Sequence, residues 1–500
     1  MTTAAQHQGL GEAASDHAFF GHPRGLKTLF FTEMWERFSY YGMRAILILF
    51  MTAPAATGGL ALNTATAGAV YGMYTAMVYM MSLPGGWIAD RLIGPRKAVL
   101  YGGLLIAAGH FSMAVPATTT FYLGLVLIVL GTGLLKPNIS VMVGQLYGER
   151  DHRRDAGFSL FYMGINTGAF FSPLVCGYLG QRINWHYGFG AAGVGMTFGL
   201  LQYVFGSRAL GDAGMHPGVP LSNVERGVLT RRLGLASLAT LCAVGATAAA
   251  VMSGAITITT VADVTGYLLL LLSVVFFAWL FLAGKWAPEE RARLWVIFAF
   301  FVAAALFWSV YEQAGSTLSL FADRSTRNEI LGHTFPSSFY QSLNPIFIMA
   351  LAPMLAWLWV RLGPRDPSSP LKFAIGLIGV GAGVALLIPA ARMAAAGSTV
   401  SPLWLTSVYL IHTLAELCLS PVGLSSMTKL APARIVSLMM GVWFLGASVG
   451  NYISGRLAGL YDSSLPLDVL FQREALFAII CGAVMLALAP AFTKMMGGVR

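Results

Sequence analysis

The chain has 500 residues, of which 56% are hydrophobic and only 10% carry a charged side chain. Soluble domains carry about 25% charged residues, so this composition excludes an ordinary soluble protein. The formal net charge of +10 would suit a nucleic-acid ligand, but the placement of the basic residues attributes it to membrane topology and anionic lipid.

The first predicted span, near residues 28–52, places four charged and two phenolic side chains at membrane depth. Their spacing (i, i+3, i+4, i+7, i+8 and i+11) puts all six on one face of a helix. A charge at the bilayer centre costs at least about 2.5–3.5 kcal/mol, so this face is expected to line a wet or protein-filled interior. Such a face suits the movement of a charged solute. The six residues are Glu33, Glu36, Arg37, Tyr40, Tyr41 and Arg44.

Apolar stretches of about 20 residues recur along the whole chain and predict fourteen membrane spans. With an even number of spans, both termini lie on the same side. Most of the 31 Lys and Arg residues then fall on that side, which the positive-inside rule makes cytoplasmic. We therefore expect a multi-pass protein of the cell (inner) membrane. The spans lie near 28–52, 66–90, 97–115, 119–142, 155–180, 187–206, 233–252, 265–283, 293–316, 338–360, 371–391, 403–428, 434–458 and 473–493.

The loop between the second and third spans carries a motif. Asp90 and Arg91 follow a glycine pair, and Gly94 precedes two further basic residues. This run resembles the cytoplasmic loop of the major facilitator superfamily. Asp90 can cap a helix end or pair with a basic residue of a neighbouring helix in one gating state, so it is a candidate gating residue.

The two spans at 233–252 and 265–283 have no charges at membrane depth and are expected to be lipid-facing accessory helices. Without them, six spans precede this point in the sequence and six follow it. This arrangement is similar to the two six-helix bundles of the major facilitator superfamily. The predicted fold is therefore an all-α membrane protein. Its expected parts are a cytoplasmic tail (1–24), an N-terminal bundle (25–210), a linker with the accessory helices (211–290) and a C-terminal bundle (291–500).

Beyond the first span, three charged residues lie at membrane depth, namely Lys136, Glu312 and Glu416. The bases Arg37, Arg44 and Lys136 belong to the first predicted bundle, and the acids Glu312 and Glu416 belong to the second. A cavity between the bundles would then have one positive and one negative wall, which a zwitterion fits in one orientation. The alternative is that these residues are structural ion pairs that brace the helices.

Four motifs together resemble the proton-dependent oligopeptide transporter (POT) family. The resemblance covers about residues 25–490, and the two inserted spans match the fourteen-helix form of prokaryotic members. It implies a proton-coupled symporter that imports di- and tripeptides by alternating access and works as a monomer. The motifs are Glu33-x-x-Glu36-Arg37-Phe38-Ser39-Tyr40-Tyr41-Gly42, Phe161-Tyr162-Met163-Gly164-Ile165-Asn166, Phe307-Trp308-x-x-x-Glu312-Gln313 and Gln341-Ser342-Leu343-Asn344-Pro345.

The resemblance also implies roles in substrate binding. Arg44 and Lys136 would hold the peptide carboxylate, while Glu416, with Asn166 and Asn344, would hold its amino group. Ordinary packing is an alternative for Tyr79 and Trp443, and hydrogen bonding between helices is an alternative for Asn166 and Asn344. The other residues implied are the pocket tyrosines Tyr40, Tyr41, Tyr79 and Tyr162, the side-chain pocket residues Trp308 and Trp443, and Ser420, one turn beyond Glu416.

For proton coupling, the resemblance implies that Glu33, Glu36 and Arg37 link proton binding to Lys136, and that Glu312 pairs with Arg44 when the outer gate is shut. Protons would be the coupling ion, and no cofactor or metal is expected. Animal members of the family use a histidine in the second span. Residues 66–90 contain none, which leaves the carboxylates as proton carriers and assigns His110 and His412 to structure.

Three other functions fit the sequence less well. A carrier of nitrate, drugs or another organic anion would share the fold, but Glu416 would leave an unpaired negative wall. An ion channel is disfavoured because no repeated filter segment is visible. A membrane enzyme is disfavoured because the sequence contains no His-Glu-x-x-His, Gly-x-Ser-x-Gly or phosphate-loop motif.

Overall fold

The computed structural model describes residues 17–148, 151–219 and 221–498, and these are almost entirely helical. Short 3-10 and π turns join the helices, and one two-stranded antiparallel hairpin pairs β1 (Glu329–Ile330) with β2 (His333–Thr334). The α-helices are α1 (Arg24–Thr52), α2 (Thr64–Met80), α3 (Ser82–Ile88), α4 (Pro95–Met113), α5 (Thr118–Gln145), α6 (Arg154–Tyr178), α7 (Trp185–Gly206), α8 (Asn223–Met252), α9 (Ile258–Leu282), α10 (Pro288–Tyr311), α11 (Thr317–Arg324), α12 (Leu343–Leu362), α13 (Ser369–Ala385), α14 (Leu387–Ala395), α15 (Pro402–Leu430), α16 (Val436–Ala458) and α17 (Leu467–Met495).

The all-α membrane fold is confirmed, and each predicted span coincides with helical structure. Within the described ranges, 10 helical segments are long and apolar enough to cross a membrane. The remaining predicted spans lie on α1, on α2 with α3, on α4 and on α16. Helix α1 carries several charges, and α2 ends at Met80, which breaks the second span in two. The predicted linker, 211–290, becomes helical at Asn223, because Ser222 and Glu225 form a capping box that starts α8.

Contacts between backbone positions divide the chain into two compact units. The first contains residues 17–43 and 80–261, and the second contains 44–79 and 262–498. The boundary falls inside α1, between Met43 and Arg44, so the end of α1 and all of α2 pack with the second unit. The predicted division at 25–210, 211–290 and 291–500 stays a prediction.

In the first unit, α4 and α5 pack closely through glycines. A Cβ atom at Gly102 would lie 2.6 Å from the carbonyl oxygen of Gly131, and one at Gly109 would lie 2.8 Å from that of Gly124. Small residues let helix backbones approach in membranes, where no hydrophobic force drives helix association. This pair of helices therefore fixes the position of Lys136, which α5 carries.

Gly102→Ala is expected to lower the stability of the detergent-solubilised protein by about 1–3 kcal/mol, because the new methyl group meets backbone that cannot move aside. The measurement is the thermal unfolding midpoint. Gly234→Ala in α8 is the matched control, since a Cβ atom there has nothing within 4 Å and alanine favours a helix over glycine. A midpoint for Gly102→Ala at or above that of wild type would contradict the packing argument.

In the second unit, α2 packs against α16, and α10 packs against α13. A Cβ atom at Gly72 would lie 2.9 Å from the Cα atom of Gly455, and the rings of Phe300 and Phe373 stack with centroids 4.2 Å apart. These contacts hold α10, and with it Tyr311 at its end, against the rest of the unit.

The two accessory helices differ from each other in how much of their surface is buried. Helix α8 buries none of its residues. Helix α9 instead packs on the second unit: Asp263 pairs with Arg456 at 3.1 Å, and Phe281 stacks on Trp295 with ring centroids 4.2 Å apart. Only α8 therefore has the fully exposed surface expected of a lipid-facing helix.

The predicted cytoplasmic tail lies mostly outside the described residues, since the description starts at residue 17. Residues 17–23 do not extend freely, because they contact the segment between α5 and α6. The His22 ring nitrogen Nδ1 lies 3.0 Å from the Tyr147 hydroxyl, and Arg153 donates to the carbonyl oxygen of Gly21 at 3.2 Å. Asp151 holds Arg153 in place through an ion pair of 2.8 Å.

The hydrogen bonds from Arg153 lower the pKa of Asp151 from 3.8 to about 2. A lowered folded-state pKa contributes stability above pH 3.8, and this contribution is lost as the pH falls towards 2. Asp151→Asn is expected to lower stability at pH 7 by about 0.2–1 kcal/mol, as for an exposed pair, and the difference from wild type should shrink between pH 4 and pH 2. Thermal unfolding at each pH measures this, with Asp212→Asn as control; a difference independent of pH would contradict it.

The loop with the motif residue Asp90 is a π turn, Ala89–Ile93, followed by Gly94 with a φ of +80°. The side chain of Asp90 is exposed and forms no ion pair or helix cap within the described residues, and Gly94 occupies the cap position of α4. The predicted cap is therefore absent in this conformation. The gating role of Asp90 stays a prediction.

Candidate functional site

The ionisable face of α1 is buried, as its spacing predicts. In the first unit, Arg37 donates to Glu36 Oε1 at 2.6 Å and lies 3.3 Å from Glu33 Oε1. None of the three is more than 3% exposed. The guanidinium also lies 5.1 Å from the ring centroid of Tyr40 and 5.9 Å from that of Tyr41. One arginine therefore contacts two acids, beside two phenol rings.

Lys136 belongs to the same unit and is half-buried on α5. It is close enough to Glu33 to interact with it electrostatically. The second carboxylate oxygen of Glu33 is buried and has no hydrogen-bond partner among the described residues. The predicted link between this acid cluster and Lys136 therefore has a spatial basis.

The second unit contains the ion pair between Arg44 and Glu312, which the resemblance implied. Arg44 Nη2 contacts Glu312 Oε2 and lies 3.4 Å from the Glu312 backbone oxygen. Arg44 Nε donates to the Tyr71 hydroxyl at 2.7 Å. Both charged residues are buried, at 7% and 4% exposure. Tyr71 was missed as a site residue because its helix has several tyrosines and only Tyr79 among them was predicted to line the pocket.

Glu416, also in the second unit, is held by neutral donors. Its Oε2 accepts a hydrogen bond from the Tyr311 hydroxyl at 2.5 Å and another from Asn344 Nδ2 at 3.0 Å. Asn344 also donates to Thr413 at 3.0 Å. Asn344 and Glu416 therefore lie side by side, and their predicted role in holding a peptide amino group stays a prediction. Tyr311 was missed, although its position beside Glu312 is the signal that could have identified it.

A further buried acid, Glu474, was missed because it stands at the very start of the predicted span at 473–493 and was not counted among the charges at membrane depth. Helix α17 begins at Leu467, so Glu474 lies about two turns inside it. Gln313 donates to Glu474 Oε2 at 3.1 Å. Tyr311, Glu312 and Gln313 are consecutive, and each reaches a different ionisable group. The end of α10 and the 3-10 turn Glu312–Gly315 therefore connect three charged positions of this unit.

The remaining predicted residues lie in varied surroundings. The amide of Asn166 donates to the Tyr162 carbonyl oxygen of its own helix at 2.9 Å. Trp443 packs against Gly423 and Phe373 in the core of the second unit. Tyr79, Trp308 and Ser420 are half-buried, and Tyr162 is exposed.

The two histidines are both buried, and the structural roles predicted for them stay predictions. His412 bonds through Nε2 to the Val380 carbonyl oxygen at 3.1 Å, and His110 is fully buried. Among residues 17–148, 151–219 and 221–498, no group of three His, Cys, Asp or Glu residues could hold a metal ion. The site therefore consists of ion pairs and hydrogen bonds within each unit.

Comparisons with known proteins agree on one family. A family model described as the POT family matches residues 96–467. The peptide transporter YePEPT of Yersinia enterocolitica is 42% identical over 494 residues, covering 96% of this chain and 97% of its own length. A di-/tripeptide transporter of Lactococcus lactis is 37% identical over 494 residues, covering 97% and 99%. A crystal structure of a peptide transporter POT in complex with sulfate superimposes with a TM-score of 0.91 at 42% identity, covering 97% of this chain and 99% of that one.

Proposed function

Because the chain belongs to the POT family of membrane transporters, we propose that it is a proton-coupled symporter that imports di- and tripeptides by alternating access. The relatives with the printed names peptide transporter and di-/tripeptide transporter support the substrate class. Family and relatives are transporters, and proton coupling is typical of the family.

Glu416 is the observation that carries the peptide assignment. Two neutral donors, Tyr311 and Asn344, hold its carboxylate, and within the described part of the chain it forms no ion pair. A carboxylate in this state is a partner for an ammonium group, because charge-assisted hydrogen bonds are roughly twice as strong as neutral ones. It would repel nitrate or another simple anion. The amino terminus of a peptide is therefore its proposed ligand.

Arg44 and Lys136 are the proposed partners of the peptide carboxylate. The guanidinium of Arg44 presents several donors in a fixed fork that matches a carboxylate. In this conformation Glu312 and Tyr71 occupy those donors. A proton on Glu312 would remove its negative charge and free Arg44, so proton binding and substrate binding become linked at one side chain.

On release to the cytoplasm, the acid cluster of α1 is proposed to return the proton. Arg37 stabilises Glu36 through two hydrogen bonds, whereas Glu33 Oε2 has no partner among the described residues. Glu33, near Lys136, is therefore the member of this cluster proposed to exchange a proton. Loss of the peptide carboxylate from Lys136 would favour the ionised form of a nearby acid.

The other predicted residues keep their proposed roles: pocket contacts for the tyrosines, tryptophans, Asn166 and Ser420, and gating for Asp90. The positive-inside distribution supports a location in the cell (inner) membrane with both termini in the cytoplasm. We further propose that the monomer, in contact with the lipid bilayer, is the functional unit. Neither a nucleic-acid partner nor a cofactor belongs to this proposal.

Uptake of a fluorescent dipeptide into proteoliposomes tests the function. An inward proton gradient should concentrate the dipeptide inside, and a proton ionophore should abolish the accumulation. Unlabelled di- and tripeptides should compete, while nitrate and acetylated amino acids should not. Accumulation that survives the ionophore, or competition by nitrate alone, would refute the proposal.

A further inference from the structure

Glu474 is a buried acid that the proposed transport cycle does not use. Glu474 lies on α17 and is only 7% exposed. Gln313 donates to its Oε2 at 3.1 Å, and its buried Oε1 has no hydrogen-bond partner among the described residues. A carboxyl group in this state has one neutral donor for two oxygens.

Among the residues that the structure describes, no cation pairs with this carboxyl group. Helices α10, α13 and α14 pack against α17, and none of their ionisable side chains forms an ion pair with Glu474 within the described residues. Lys372 pairs with Asp366, and Arg392 pairs with Asp468. Helix α11 also contacts α17, through the rings of Phe321 and Phe471. The ionisable side chains on all these helices, on the adjoining turn and on α17 itself are Glu289, Glu290, Arg291, Arg293, Tyr311, Glu312, Asp323, Arg324, Lys372, Arg392, Asp468, Arg473, Cys481 and Lys494.

A buried carboxylate without a cation is strongly disfavoured, and such a group becomes neutral by binding a proton. Gln313 suits both forms of the acid, because its amide carries two donor hydrogens and one acceptor oxygen. Its NH₂ group serves the carboxylate, and its carbonyl oxygen would accept a hydrogen bond from the protonated acid after rotation of the amide.

We propose that Glu474 is a further proton-binding site, in addition to Glu312 and Glu33, and that its proton is exchanged during transport. Gln313 is the positioning residue, because it follows Glu312 directly on the 3-10 turn Glu312–Gly315. When Glu312 leaves Arg44, movement of this turn carries Gln313 with it and changes the hydrogen bonding of Glu474. The inference rests on the proposed proton-coupled function and adds one proton to its cycle.

Infrared difference spectroscopy of the purified protein tests proton binding without any substrate. Wild type should show a carbonyl stretching band of a protonated carboxylic acid that is lost in Glu474→Gln and retained in the matched control Asp468→Asn. Gln313→Leu removes the amide and should shift this band. This second variant provides the test if Glu474→Gln does not fold. A spectrum of Glu474→Gln identical to that of wild type, or an unshifted band in Gln313→Leu, would overturn the proposal.

Transport tests the exchange step. The number of protons moved per peptide, measured from the membrane potential at which net flux reverses, should be lower by one in Glu474→Gln, while peptide exchange without a gradient continues. An unchanged ratio would overturn the proposal. If wild type itself moves no peptide, the proposed function fails, and the infrared experiment alone decides whether Glu474 holds a proton.

Discussion

Glu416→Gln is expected to weaken the binding of peptides with a free amino terminus by about 30-fold or more. Removing one member of a buried charge pair costs about 2–5 kcal/mol, and about 1.4 kcal/mol corresponds to a tenfold change in affinity. Glutamine keeps the size of the side chain and one acceptor oxygen, so the loss reports the charge. The measurement is the concentration of dipeptide that gives half-maximal exchange in proteoliposomes.

Two comparisons make this result specific to the ammonium group. An N-acetylated dipeptide, which has no ammonium, should bind Glu416→Gln and wild type with similar affinity. Glu225→Gln is the matched control variant, because Glu225 is exposed in a capping box at the start of α8, and glutamine preserves such a box. Equal losses for the free and the acetylated peptide would remove Glu416 from the amino-terminal site.

Glu312→Gln is expected to abolish accumulation driven by the proton gradient and leave peptide exchange without a gradient intact. The amide imitates the protonated acid permanently, so Arg44 stays available to the peptide carboxylate and the gate no longer responds to pH. Breaking a buried pair from one side also costs about 3–5 kcal/mol of stability in many proteins, so the folded state is checked by thermal unfolding.

Uptake with and without the gradient provides the measurement for this variant. Its accumulation should fall to the level that wild type reaches without a gradient. Glu290→Gln serves as control, since Glu290 lies at the start of α10 and contacts only Arg434, at 3.6 Å, as an ion-pair partner within the described residues. Accumulation by Glu312→Gln at the wild-type rate would exclude Glu312 as a coupling residue.

Spacing alone predicted those residues whose charged side chains lie within an apolar span. Four charged side chains within one apolar span required a shared interior face, and the burial of Glu33, Glu36 and Arg37 agrees with that requirement. The contact between Arg44 and Glu312 could not be derived in this way, because no periodicity relates residues so far apart in sequence. The family resemblance supplied that pair.

The features that sequence reasoning missed share a physical cause. Protein interior and lipid are both apolar in a membrane, so hydropathy could not show that α9 packs on the second unit and α8 does not. Hydropathy also placed the start of the last span at 473, six residues after α17 begins, so Glu474 stood at the very edge of that span and its depth in the helix was missed. In the sequence, Tyr311 resembles a packing residue, whereas in the structure its hydroxyl donates a hydrogen bond to Glu416.

The three neighbouring side chains at the end of α10 also restrict where residues can be inserted or deleted in this part of the chain. Successive residues in a helix differ by about 100° in direction, and Tyr311, Glu312 and Gln313 use that difference to reach three separate acidic or basic partners. Inserting or deleting one residue just before Tyr311 would redirect all three together, whatever their identities. Evolution can therefore exchange side chains at this turn one at a time, but it cannot change the register there without losing every connection in a single step.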